Sequence, residues 1–123
     1  MITATITSNW IALAGALGTL CLGMFGLLAP THCARFVGLS ARDRTGFGEF
    51  RATYGGLFVA LGALPLWSGE PMAFLAASLA WGGAAVGRLT SILVDGGHTE
   101  RRSFAALAFE CAFALLLASG ATG

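Results

Sequence analysis

Four long apolar stretches, at about 10–28, 46–67, 71–94 and 103–119, leave this chain of 123 residues room for little else. Crossing a bilayer takes about 20 mostly apolar residues, so each stretch is long enough for one helical crossing. Only 11% of the residues are charged, against about a quarter in soluble domains. A soluble helical bundle would need a polar stripe on every helix, and the first and third stretches offer none of useful width. The sequence predicts an all-α fold: a single integral domain of four transmembrane helices, with the lipid bilayer as its solvent.

The net charge of +1 builds no basic field for nucleic acid. Its distribution is more informative. There are no lysines, and the arginines are Arg35, Arg42, Arg44, Arg51, Arg88, Arg101 and Arg102. Three precede the second stretch and two lie between the third and fourth, in connections that share one side if there are four crossings. Positively charged connections stay cytoplasmic, which predicts both termini outside, N-out and C-out, in a multi-pass protein of a bacterial inner membrane. The first stretch lacks a positive n-region, and Pro-Thr-His precedes Cys33 where a lipoprotein site needs small residues. It therefore reads as a retained span rather than a cleaved signal. Cys21, Cys33 and Cys111 are odd in number and widely spaced, which argues against a disulfide framework or a zinc site.

Local signals set the boundaries. Asn9 or Ser8 is placed to cap the first helix, with Trp10 at an interface. Gly15, Gly18, Gly23 and Gly26 suit close helix packing. The connection from Pro30 to Thr45 mixes apolar and basic residues along Ala34-Arg-Phe-Val-Gly-Leu, a pattern suited to an interface. Ser40 with Asp43 resembles a capping box for the second helix. Ser68-Gly-Glu-Pro71 forms an outer turn, and Asp95-Gly96-Gly97-His98 ends the third helix.

Charges inside apolar helices are expensive and mark candidate sites. Glu49, Arg51 and Tyr54 enter with the second helix, Arg88 lies in the third, and Glu110 lies in the fourth. Arg88 is seven residues before Asp95, and Glu110 is seven after Ser103. At 1.5 Å per residue both sit roughly 10 Å from the same membrane face, which predicts an ion pair between neighbouring helices. Arg88, Ser91 and Asp95 make one polar stripe on the third helix. Glu49 and Arg51 lie about 200° apart on an α-helix, so both cannot point inward. Packing through Gly48, Ala52 and Gly56 favours Glu49 inside; the opposite face brings Arg51 and Tyr54 inside.

The candidate ligand-binding set is thus Glu49, Arg51, Tyr54, Arg88, Ser91, Asp95 and Glu110. An Arg–Glu pair can also serve only to lock helix register. No catalytic residue or metal ligand set is assigned and no cofactor is expected. His32 and His98 lie in loops without companion ligands; no nucleophile has a base beside it; no glycine loop suits a phosphate.

The run Glu49-Phe-Arg-Ala-Thr-Tyr-Gly-Gly56, with Gly87-Arg-Leu89, Asp95-Gly96 and Glu110, resembles a family of small bacterial four-helix membrane proteins known only as a domain of unknown function. The chain also resembles DoxX-type four-helix proteins, some of them named as oxidase accessory subunits. The likeness implies a bundle with interior polar residues and transfers no activity. Small multidrug exporters are similar in length, but they carry their carboxylate in the first helix, which is uncharged here.

The expected function is binding of a small amphipathic molecule, lipid or quinone-like, by the polar cluster. The alternatives are an accessory subunit with a membrane-protein partner or further copies of itself, and a dimeric proton-coupled transporter. An enzyme is the least supported class.

Overall fold

The computed structural model describes residues 9–40, 42–96 and 100–122. Among them all regular structure is helical. Helix α1 spans Trp10–Leu28, and Asn9 caps it by accepting from the Ala12 N–H at 3.0 Å. Ser8 lies outside the described residues, as does His98. Ala29 turns the chain into a short helix, α2, Pro30–Val37. Proline lacks the N–H that would continue α1 and fits the first position of the next helix. Gly38, at φ 83°, closes α2, and the Leu39 N–H returns to the Ala34 carbonyl at 2.7 Å. That is a Schellman-type stop, which an L side chain at this position would strain.

Helical backbone then runs unbroken over 44–68, in three parts. Helix α3, Arg44–Phe50, is capped by Asp43, which accepts from the Gly46 N–H at 2.7 Å; Ser40 takes no part in the cap. Arg51–Leu57 is π-helical, and α4 continues as Phe58–Ser68. Gly69, at φ 67°, ends it. Helix α5, Pro71–Val94, begins with proline in its first turn, and α6 spans Arg101–Ala121. The last helix is longer at both ends than its apolar core suggests.

Helices α1, α5 and α6 are each long and apolar enough to cross a membrane. This makes the chain a membrane protein. The second stretch, expected as one uniform span over 46–67, is instead interrupted by the π-helical turns.

Helix α1 packs against α4, the π-helical segment and α6, while α5 packs chiefly on α6. The core lies among Ala12, Ala16, Phe74, Ala77, Trp81 and Leu117. Buried polar groups inside it are paired. Thr19 donates to the Gly15 carbonyl at 2.8 Å and accepts from the Trp81 indole at 2.9 Å. Ser78 donates to the Ala114 carbonyl at 2.7 Å, tying α5 to α6.

The contact between α1 and 44–68 is made backbone to backbone. A Cβ on Gly55 would stand 2.9 Å from the Leu27 Cα, and one on Gly62 would stand 2.7 Å from the Ala16 carbonyl oxygen. Gly23 and Gly26 meet the same helix from the α1 side. This corrects the favoured packing face, the one that would have turned Glu49 inward. Gly48, Ala52 and Gly56 are exposed, and Gly48 has open space where a Cβ would be. The glycines of α5 make no such contact: Gly82, Gly83 and Gly87 have nothing within 4 Å of an added Cβ. Helix α5 packs instead through Ala73, Phe74, Ala77, Ser78, Trp81, Ala85 and Ile92.

Candidate functional site

A cavity of about 520 Å³ lies between the π-helical segment and the α5–α6 hairpin, with α2 contributing to its lining. Its walls follow from the packing already described. Glycine contacts draw 44–68 onto α1, and small residues draw α5 onto α6. The π-helical segment and the second half of α5 are left apart. Thr53, Tyr54 and Leu57 form one wall; Trp81, Ala84 and Arg88 face them; Phe109 and Glu110 complete the space. Thr53 and Leu57 on one side and Ala80 and Ala84 on the other are exposed, so the rim runs along the helices.

Aromatic rings continue one another through this region. Phe50 stacks on Tyr54 at 4.7 Å between centroids, Tyr54 meets Phe58 at 5.9 Å, and Phe58 meets Trp81 at 5.1 Å. Trp81 in turn packs against Phe113 at 4.8 Å and Phe109 at 5.9 Å. Such tilted pairs add to simple burial and give the apolar wall a fixed shape.

The polar end is built by two neighbouring helices. Arg88 Nε donates to Glu110 Oε1 at 3.3 Å, and Arg88 Nη2 donates to Oε2 at 3.2 Å. This fork-to-fork pair joins α5 and α6 at equal depth, as the residue spacing requires. The Arg88 side chain is 35% exposed and that of Glu110 10%. Tyr54 lines the same cavity, and its hydroxyl makes no hydrogen bond to another described residue.

The structure divides the seven sequence candidates. Tyr54, Arg88 and Glu110 come together in the cavity wall; Glu49, Arg51, Ser91 and Asp95 are not part of it. Glu49 is exposed, because the buried face of this helix begins with its neighbour Phe50 and continues through Gly55. Arg51 turns away and donates through Nη1 to the carbonyl of Leu27, near the end of α1. A helix end leaves carbonyls without intrahelical partners, and Arg51 supplies one. Ser91 is half-buried and Asp95 exposed at the end of α5.

Other lining residues escaped the sequence reading. Cys33 and Phe36 come from α2, and Arg102 comes from the first turn of α6. Cys33 is buried in a small cluster with Ala34 and Phe50, and burial pushes its thiol above the ordinary range. Arg102 Nη2 donates to the carbonyls of Arg35 at 3.2 Å and Phe36 at 3.4 Å. It thus does for the end of α2 what Arg51 does for the end of α1. The π-helical segment had no sequence signal beyond the adjacent glycines Gly55 and Gly56, which resist departure from α geometry least. Such segments occur often at functional sites.

Comparison with known proteins finds a family model over residues 7–120, described as Domain of unknown function (DUF4345). No curated protein and no solved structure matches the chain.

Proposed function

Since the chain belongs to that family of unknown function, we propose a role from the cavity: it binds a small amphipathic molecule, lipid or quinone-like, within the membrane. The observation that carries this reading is one apolar space of about 520 Å³ with Tyr54, Arg88 and Glu110 gathered at it. Ligand pockets typically measure about 300–1,000 Å³ and combine apolar walls with a few placed polar groups. The polar head of the ligand sits against Tyr54 and the Arg88–Glu110 pair. Its apolar part lies along Phe58, Trp81 and Phe109.

The proposed site goes with a proposed topology. Four crossings, the second made by 44–68, put both termini outside a bacterial inner membrane and the polar end of the cavity in its cytoplasmic half. Two features support it. The end with α2 and the start of α6 carries Arg35, Arg101 and Arg102, as cytoplasmic ends do. The opposite end carries Trp10 and Trp67, 70% and 75% exposed, as an interfacial aromatic belt does.

Native mass spectrometry of the detergent-released wild type beside an Arg88→Met/Glu110→Leu double variant tests the binding role. A small molecule retained by the wild type and lost by the still-folded variant supports it. No retained mass in either, or equal retention in both, rejects it.

A second reading has its own support. Gly83 and Gly87 lie on an exposed part of α5 with open space around them, and small residues four apart suit contact with another membrane helix. An accessory subunit seated on a partner protein through this face would co-purify with that partner at fixed stoichiometry and lose it on Gly83→Leu substitution.

A further inference from the structure

Charge within the cavity narrows the ligand further, provided that the cavity is a ligand site. Two guanidinium groups, Arg88 and Arg102, line it against one carboxylate, Glu110. Glu110 is committed to Arg88 through both oxygens. Among the described residues Arg102 meets no carboxylate; its protein acceptors are the carbonyls of Arg35 and Phe36, both reached through Nη2. A guanidinium carries five N–H donors, so Nε and Nη1 keep donors for another acceptor.

The position of Arg102 is fixed from the other side. Its Nη1 lies 2.9 Å from where a Cβ on Gly38 would stand. The side chain therefore lies against the glycine that closes α2. Arg102 is exposed at the cavity and meets no carboxylate among the described residues, which leaves it able to take an anion, and guanidinium pairs bidentately with carboxylate and phosphate.

We propose that the cavity selects single-chain anionic amphiphiles, their carboxylate or phosphate head held by Arg102 beside the Arg88–Glu110 pair. A neutral quinone-like head leaves the Arg102 charge unmatched. The cavity volume lies in the range for drug-sized ligands, which suits one chain rather than the two of a phospholipid.

Trp81, in the cavity wall, reports occupancy directly. In a Trp10→Phe/Trp67→Phe background it is the one remaining tryptophan. A chain-brominated fatty acid, the alkyl phosphate with the same chain, and the matching neutral alcohol are titrated into the purified full chain in non-ionic detergent. Quenching of Trp81 by one or both anionic probes at a concentration about ten-fold or more below that of the alcohol is expected, since a hydrogen bond to a charged group is worth that much. Which anion quenches first identifies a carboxylate or a phosphate as the favoured head.

Arg102→Gln brings all three probes to one midpoint, while Arg102→Lys, which keeps the charge, preserves part of the preference. If the glutamine variant does not fold, the lysine variant and the wild-type ranking still decide. Equal quenching by anions and alcohol in the wild type overturns the anionic selectivity and leaves the amphiphile site standing. An anion preference that survives Arg102→Gln overturns the assignment to Arg102. No quenching by any probe overturns the cavity reading itself.

Discussion

Glu110 hides nearly all of its side chain while Arg88 keeps about a third of its own exposed, so losing either partner has a different cost. Arg88→Met strands a buried carboxylate, and breaking a buried pair this way typically costs about 3–5 kcal/mol. Glu110→Leu leaves a guanidinium with partial access to the surface and should cost less. The double replacement removes both charges and should recover most of the loss. Thermal unfolding of the three variants in detergent checks the ranking; equal melting of the two single variants would contradict it. Cys33 supplies a second residue-scale expectation. Its thiol is shifted up by burial, and only the thiolate is a nucleophile. With Cys21 and Cys111 replaced by alanine, maleimide labelling at Cys33 should stay slow at neutral pH. It should accelerate only above the ordinary thiol range near about 8.5. The same shift favours the folded state below the ordinary thiol pKa and is lost as pH rises through the folded value. Arg88 and Glu110 were legible as partners because α-helical rise converts spacing into depth. Arg102 was not, because its role depends on where α2 ends in space, and an arginine near a membrane face reads first as a topology signal.

Whether a glycine is needed depends on which helix lies against it. Gly55 and Gly62 face the backbone of α1 with no room for a side chain. Gly55→Ala and Gly62→Ala should each destabilise by about 1–3 kcal/mol through overpacking. Gly83→Ala and Gly87→Ala, in open space, should be neutral or stabilising by up to about 1 kcal/mol through helix propensity. Circular dichroism melts in one detergent separate the two pairs; equal loss at all four would mean that the α5 glycines also make an essential contact. Both sets of glycines look alike along the chain, and only the pairing of helices tells them apart. The π-helical segment explains why the orientation of Glu49 and Arg51 was not legible. A constant 100° per residue cannot be carried through Arg51–Leu57, where each turn holds about one extra residue. Deleting Thr53 should restore α geometry there, rotate α3 relative to α4, and release Arg51 from the Leu27 carbonyl. A folded deletion variant that keeps full amphiphile binding would show that the π geometry does not shape the cavity.

At the scale of the whole molecule, the alternation of apolar stretches predicted helices and their approximate ends, because length and hydropathy alone decide these in a bilayer. The cavity was not legible, since it is the space left by unequal packing rather than a property of any stretch. Topology is open to a direct test. In a cysteine-free background, an impermeant maleimide applied outside intact cells should label Glu70→Cys and spare Arg42→Cys and Glu100→Cys. Labelling of Arg42→Cys and Glu70→Cys from the same side would mean that 44–68 does not cross. The rim of the cavity, where Thr53, Leu57, Ala80 and Ala84 are exposed along the helices, has a further consequence. Under the proposed binding role, an amphiphile entering sideways from a leaflet would not have to return to water between binding events. On that role, occupancy would follow its mole fraction among the surrounding lipids and be insensitive to the volume of the aqueous phase, with the membrane acting as a two-dimensional solvent.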